Sequence, residues 1–164
     1  MNKKMLFGIT VVSYLIILFA LVFMKEHIRA VNLIPFGFVN DYIVDKQPLG
    51  IANIVGNLLM FIPMGIFLSM INQRHDKVLF MLILASVCIE VLQYVFIRGV
   101  SDIDDVILNS VGGLIGIACY KISKKWGNKS DTMLLLLVLC ALLILIAFYL
   151  CLHFGVFGFR IRIF

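Results

Sequence analysis

Charged residues are scarce in this chain. Asp, Glu, Lys and Arg make up only 14% of its 164 residues, where a soluble globular domain carries roughly 25%. Hydrophobic residues reach 63%, and the mean hydropathy is +1.11. A single core of this size cannot bury so much apolar surface in water. The composition therefore excludes an ordinary soluble domain and a disordered chain, and it predicts a protein of the lipid bilayer.

Residues that bind metals or form disulfides are also few. The four cysteines lie in apolar runs and lack the spacing of a zinc motif or a disulfide framework. The three histidines are isolated, and the sequence contains neither a nucleophile elbow nor a phosphate-binding glycine loop. We predict no metal and no cofactor. The net charge of +5 is spread over the loops between apolar runs, which excludes nucleic acid as a partner.

Five apolar runs are close to the length of about 20 residues that a helix needs to cross a bilayer. They are Met5–Met24, Ile51–Ile71, Val78–Ile97, Val106–Ile122 and Thr132–Phe154. Short polar turns join most of them, which favours antiparallel neighbours. The sequence predicts an all-α membrane protein, a single domain over residues 1–164 with a bundle of about five transmembrane helices. The first run is too long for a signal peptide, so we expect it to be retained.

The connection between the first two runs contains a segment too apolar for a solvated loop. Residues 32–38 read Asn-Leu-Ile-Pro-Phe-Gly-Phe and include the motif residues Asn32, Pro35 and Phe36. The segment is too short to span the membrane, and proline and glycine interrupt it. We predict an interfacial or re-entrant segment between helices 1 and 2.

Lys and Arg residues favour one orientation of the bundle. With the N-terminus inside, eight of them fall in inner segments and six in outer segments. Because basic residues are retained on the cytoplasmic side, we predict the N-terminus inside and the C-terminus outside.

Polar residues inside the predicted spans gather in one leaflet. Asparagines four residues apart open the second run, an acid and an amide three residues apart lie late in the third, and acids and an asparagine at steps of three and four begin the fourth. A charged side chain that faces lipid costs several kcal/mol, so these faces are expected to meet in a polar pocket. Arg98 is the expected counter-ion of Glu90. The pocket residues are Asn53, Asn57, Glu90, Gln93, Arg98, Asp102, Asp105 and Asn109.

The acidic residues also allow other interpretations. Asp102 and Asp105 have the spacing of an N-terminal cap, and negative charge there suits the helix dipole. Asp102, Asp104, Asp105 and Glu90 together supply the oxygen ligands that a hard cation prefers. Both interpretations stay open beside the pocket.

Amides and glycines suggest helix packing. The asparagines equally suit hydrogen bonds between helices. Gly112, Gly113 and Gly116 predict a close approach of two helices, because small residues let backbones come together in a membrane.

Short motifs in a fixed order resemble the VanZ-like family. They are Asn-Leu-Ile-Pro-Phe at 32–36, Asn-Ile-Val-Gly-Asn at 53–57, Glu-Val-Leu-Gln at 90–93, and the stretch from Arg98 to Gly116. The resemblance covers approximately residues 32–120, with an additional C-terminal helix at 132–154. It implies a small multi-pass protein of the bacterial cytoplasmic membrane. The founding member of the family is associated with low-level resistance to the glycopeptide teicoplanin.

Three functions remain open at this stage. The first is an envelope protein whose outer-leaflet pocket binds membrane lipids or a lipid-linked cell-wall precursor. The second is a membrane enzyme in which Glu90 or Asp105 acts as general acid or base. The third is a small lipid transporter or flippase that works as a homo-oligomer, with the face of Gly112 and Gly116 as one possible dimer contact.

Overall fold

The computed structural model describes residues 2–23, 29–39, 48–127 and 130–153. This part of the chain forms six helices and one two-stranded sheet. The helices are α1 (Lys3–Phe23), α2 (Gly37–Val39), α3 (Pro48–Ile71), α4 (His75–Phe96), α5 (Ile103–Ser123) and α6 (Ser130–His153), and the strands are β1 (Arg29–Asn32) and β2 (Gly99–Asp102). A single 3₁₀ turn, Lys124–Trp126, extends α5.

Four helices are long and apolar enough to cross a membrane: α1, residues 53–71 of α3, α4, and α5 with its 3₁₀ turn. They confirm four of the predicted spans. In α6 the described side chains form a shorter apolar helix, Asp131–Leu142, so the fifth crossing stays a prediction. Its predicted last residue, Phe154, lies outside the described residues.

Helices α3, α4 and α5 each begin three residues before the predicted apolar run. Their first turns contain Pro48, His75 and Asp104, which a search for apolar residues leaves out. Such residues fit there because the first backbone N–H groups of a helix have no intrahelical acceptor.

The two strands correct the all-α prediction. Strands β1 and β2 are parallel, with Arg29 opposite Gly99 and Asn32 opposite Asp102. Four-residue strands give too little alternation to be recognised in a sequence, and this pairing joins segments about 70 residues apart. After β1 the chain turns at residues 35–36 into α2. The interfacial or re-entrant position of this segment stays a prediction.

Glycines bring α3 and α5 into backbone contact. A Cβ atom added to Gly112 would lie 2.3 Å from the carbonyl oxygen of Leu58, and one added to Gly116 would lie 2.2 Å from that of Ile62. A side chain at either position would therefore force the two helices apart. This contact fixes the position of the middle of α3 against the middle of α5.

The third predicted packing glycine faces α4. A Cβ atom on Gly113 would lie 2.6 Å from Cδ1 of Leu82, and the Gly113 backbone also meets Gly65 of α3. All three glycines are thus used inside one chain. Helix α3 occupies the face of Gly112 and Gly116, so this face is not open to a second copy, and the homo-oligomer stays a prediction.

Two ends of the bundle differ in charge. At one end, which we call the basic end, Asp131 at the start of α6 accepts hydrogen bonds from Lys3 and from Lys124, the latter at 2.7 Å. At the opposite end, which we call the site end, α1 and α4 finish, α3 and α5 begin, and the small sheet lies beside them. The outward faces between the ends are apolar, with Ile16, Phe19 and Phe80 exposed, as a lipid-facing surface requires.

Candidate functional site

Asp105 lies at the centre of the polar residues of the site end. Its side chain is 2% exposed. The carboxylate oxygen Oδ1 accepts hydrogen bonds from Nδ2 of Asn57 at 2.5 Å and from Nδ2 of Asn53 at 3.0 Å. The glycine contact between α3 and α5 makes this arrangement possible, because it brings the asparagine face of α3 against the first turn of α5. These three predicted pocket residues therefore meet.

Glu90 ties the end of α4 to the start of α5. Its side chain is 5% exposed, and Oε2 accepts the backbone N–H of Asp102 at 2.9 Å. Asp102 is the N-cap of α5, since its Oδ1 accepts the backbone N–H of Asp104 at 2.9 Å. The capping interpretation of Asp102 is confirmed. In a capping box, the side chain of the third helical residue accepts the backbone N–H of the N-cap residue. Here Glu90, which belongs to α4, accepts that N–H instead.

The loop after β1 is clamped to the same turn. Asn32 donates from Nδ2 to Oδ2 of Asp102 at 3.1 Å, and the backbone N–H of Phe36 donates to Oδ1 of buried Asp104 at 2.5 Å. Phe36, which follows Pro35, has a φ of 65°, a left-handed conformation that aromatic residues seldom adopt. The bond to a buried carboxylate stabilises this conformation and leaves the Phe36 ring exposed.

Gln93 and Asn109 are buried, and their amide groups donate to other helices rather than to these carboxylates. Gln93 donates from Nε2 to the carbonyl of Val22 in α1 at 3.4 Å, and Asn109 donates from Nδ2 to Oγ of Ser86 in α4 at 2.9 Å. The bond to Ser86 is the interhelical bond that the packing interpretation predicts. The side-chain oxygens of Gln93 and Asn109 have no hydrogen-bond partner among the described residues.

Arg98 does not pair with Glu90, which corrects the expected counter-ion. Helix α4 ends at Phe96, and Ile97 takes a left-handed conformation whose N–H bonds to the carbonyls of Gln93 and Tyr94. The helix therefore ends before Arg98, which lies in the turn that leads into β2. Arg98 is half-buried and is absent from the ion pairs formed within the described ranges.

Arg29 is a second guanidinium at this end, and the sequence did not indicate it. Its Cζ lies 5.2 Å from the ring centroid of Tyr94, a cation–π contact. Only the pairing of β1 with β2 brings Arg29 opposite Gly99 and hence near Arg98. Asp104 was also absent from the predicted pocket, although its place in the acidic run beside Asp105 was a signal for it.

The electrostatics of the cap follow from burial. Partial burial raises the pKa of Asp102, and the neighbouring charges of Asp105 and Asp104 raise it further. Hydrogen bonds from the Asp104 N–H and from Asn32 oppose that shift.

Within residues 2–23, 29–39, 48–127 and 130–153, no group of three or more His, Cys, Asp or Glu is placed to hold a metal ion.

Comparison with known proteins gives the family. The VanZ/LLP1 family matches residues 11–124, a range that contains every residue of the predicted pocket and the three packing glycines. Protein VanZ of Enterococcus faecium is 31% identical over 128 residues, which are 74% of this chain and 73% of that protein. No solved structure matches the chain. A match over most of the chain confirms the resemblance read from the motifs. The chain belongs to the VanZ/LLP1 family, whose members are multi-pass membrane proteins.

Proposed function

We propose that this protein modulates resistance to glycopeptide and lipoglycopeptide antibiotics such as teicoplanin. In this proposal the site end binds the headgroup of a membrane lipid or of a lipid-linked cell-wall precursor. With five crossings, the N-terminus inside and the C-terminus outside, the site end faces the outer leaflet of the bacterial cytoplasmic membrane. The observation that supports the proposal most strongly is the burial of Glu90, Asp104 and Asp105 together in a bundle of apolar helices.

Carboxylates inside a membrane protein need a reason. Each ionised side chain at membrane depth costs several kcal/mol unless it is paired or hydrogen-bonded, and such residues are functional candidates by default. Amide and backbone N–H groups hold Asp105 and Glu90 in fixed positions. A rigid set of acceptors suits the amines and hydroxyls of a headgroup.

Two arginines supply the complementary charge. A guanidinium binds phosphate through two parallel N–H bonds. Arg98 makes no ion pair with the residues that the structure describes, and Arg29 lies on the neighbouring strand. Both charges are therefore available to a phosphate or pyrophosphate linked to a lipid.

An apolar surface adjoins this polar group. Leu33 and Ile34 are 74% and 72% exposed in the loop that follows β1, and the Phe36 ring is exposed beside them. A ligand that is polar at its head and apolar in its chain matches this combination. Protein VanZ, which is 31% identical to this chain, is associated with teicoplanin resistance, and this relation supports the link to the antibiotic. Teicoplanin carries an acyl chain and its target is lipid-linked, so both combine a polar and an apolar part.

The first test measures teicoplanin sensitivity in a susceptible Gram-positive host that expresses the protein. Asp105→Asn and Arg98→Gln are expected to abolish the protection given by the wild type. Asp76→Asn and Arg74→Gln make the same chemical changes in an exposed ion pair at the basic end and serve as matched controls. Immunoblots of membranes report abundance. Wild-type protection by both site variants at normal abundance would overturn the proposal.

The second test measures binding of a fluorescent lipid-linked wall precursor to the purified protein in vesicles. Arg98→Gln removes a charged hydrogen-bond donor, so affinity is expected to fall about tenfold or more. Unchanged affinity would contradict the headgroup role of Arg98. If the wild type consumes the precursor and Glu90→Gln does not, the protein is an enzyme rather than a binding protein.

The orientation has its own test. Reporter domains fused after Phe164 distinguish the two sides of the membrane. We expect an inactive cytoplasmic reporter and an active external one at this position. An active cytoplasmic reporter would contradict the outer-leaflet position of the site.

A further inference from the structure

The basic end concentrates positive charge. Among the described residues, seven Lys and Arg lie there and only two acids, Asp76 and Asp131. The seven are Lys3, Lys4, Arg74, Lys77, Lys121, Lys124 and Lys125. Both acids are already engaged by these cations, since Arg74 pairs with Asp76 and two lysines pair with Asp131. The end therefore presents a net positive field.

A cleft opens within this surface. It has a volume of about 340 Å³ and is lined by Gln73, His75, Tyr120, Lys121 and Lys124. The α3–α4 turn and the first residue of α4 form one wall, and the last turn of α5 with its 3₁₀ extension forms the other. This volume is within the range of small-ligand sites, roughly 300–1,000 Å³.

The groups that line the cleft can receive an anion. Lys121 is absent from the ion pairs within the described ranges, and Lys124 is held 5.0 Å above the Tyr120 ring by its bond to Asp131. The Nδ1 atom of His75 is buried and has no hydrogen-bond partner among the described residues. Among the described residues that line the cleft there is no carboxylate, and the acid Asp131 is bonded to Lys124 at 2.7 Å.

The start of α4 adds to this preference. His75 is the first residue of that helix, and its N-cap, Arg74, makes no side-chain cap. A helix N-terminus carries partial positive charge and attracts anions. The start of α4 therefore adds partial positive charge beside the lysines, and the one acid in its first turn, Asp76, is paired with Arg74.

We propose that this cleft binds the phosphate of an anionic glycerophospholipid, such as phosphatidylglycerol. Exposed apolar side chains flank it, among them Ile71 at the end of α3 and Ile122 and Trp126 beside Lys124. A free phosphate ion gains nothing from contact with apolar side chains, whereas the acyl chains of a lipid pack against them. This cleft lies at the basic end, opposite the site end, and its proposed ligand does not depend on the function proposed for the site end.

The chain carries its own reporter for this site. Trp126 is the sole tryptophan of the sequence and lies two residues after Lys124. The protein is reconstituted in phosphatidylcholine vesicles that contain an equal fraction of brominated phosphatidylglycerol or of brominated phosphatidylcholine. Bromine quenches tryptophan on contact, so stronger quenching by the anionic lipid measures its preference for the cleft.

Wild-type protein is expected to show that preference, and Lys121→Gln combined with Lys124→Gln is expected to reduce it about tenfold. Lys125→Gln is the matched control, since Lys125 lies in the same turn and does not line the cleft. Thermal melts of all variants monitor folding. If Lys125→Gln lowers the preference as much as the double variant does, the attraction is diffuse and the proposal is overturned. The absence of preference in the wild type would also overturn it.

A further arm separates a lipid from a free anion. Inorganic phosphate is added to the wild-type vesicles, with sodium sulfate at equal ionic strength as the control. The lipid preference is expected to survive to the same degree in both salts. Selective loss in phosphate would show that the cleft binds a free phosphate ion and would refute the lipid assignment.

Discussion

Replacing Gly116 with alanine tests whether the close contact between α3 and α5 holds the polar site together. The added Cβ would lie 2.2 Å from the carbonyl oxygen of Ile62, about 1.2 Å short of the 3.4 Å at which ordinary contact begins. The obstacle is backbone, which cannot rotate away as a side chain does. The two helices must therefore separate along their length.

The magnitude follows from two opposing effects. Overpacking a close interface costs about 1–3 kcal/mol, and a rigid backbone obstacle places Gly116→Ala near the upper value. Alanine favours a helix over glycine by about 1 kcal/mol, which offsets part of that cost. We expect Gly116→Ala to lower the free energy of unfolding by about 2 kcal/mol. The separation would also stretch the bond between Asn57 and Asp105, which joins the same helices.

Gly56→Ala is the matched control. Gly56 lies in α3, and a Cβ added there meets nothing within 4 Å. Only the helix-forming gain remains, so this variant is expected to be neutral or slightly more stable. The melting temperatures of both proteins are compared in the same detergent, with circular dichroism as the probe of unfolding. If Gly116→Ala is as stable as Gly56→Ala, the backbones of α3 and α5 are not in close contact at Gly116 and the prediction is wrong.

Two further predictions concern single side chains. Tyr14 is buried, and its hydroxyl donates a hydrogen bond to the Met60 carbonyl at 2.9 Å. Tyr14→Phe is expected to lower the free energy of unfolding by about 0.5–1.5 kcal/mol in the same melts. An unchanged melting temperature would contradict that bond. The pKa of Asp102 is raised in the folded state, so the folded chain keeps the Asp102 proton to higher pH than the unfolded chain does. The free energy of unfolding therefore falls as pH rises from about 4 through the raised pKa. Asp102→Asn should flatten this part of the stability profile relative to the wild type, and an identical slope in both proteins would refute the assignment.

The sequence predicted the membrane-spanning elements well because their signal is local. A run of about 20 apolar residues allows only a helix in lipid, and four such helices are present. The helical spacing of polar residues also placed Asn53, Asn57 and Asp105 on faces that meet in the structure. The predicted boundaries were wrong by three residues at the starts of α3, α4 and α5.

Contacts that depend on chain reversal were not predictable in the same way. The expected pair of Glu90 and Arg98 placed Arg98 directly after a helix that ends at Ile97, but the helix ends at Phe96 and Ile97 takes a left-handed conformation. The bond from the Phe36 N–H to Asp104 and the position of Arg29 both require the parallel pairing of β1 with β2. No periodicity within a four-residue strand specifies its partner.

Composition and spacing alone thus determined that this chain is a helical membrane protein with its acids and amides on a few helix faces, because hydrophobic burial and helix geometry act over neighbouring residues. The tertiary structure decided which polar groups bond to each other. It placed the three glycines in helix contacts within the chain, and it made Glu90 a partner of the α5 cap rather than of Arg98. Those outcomes depend on how close two backbones approach and where a helix ends, and both are set by packing between distant segments.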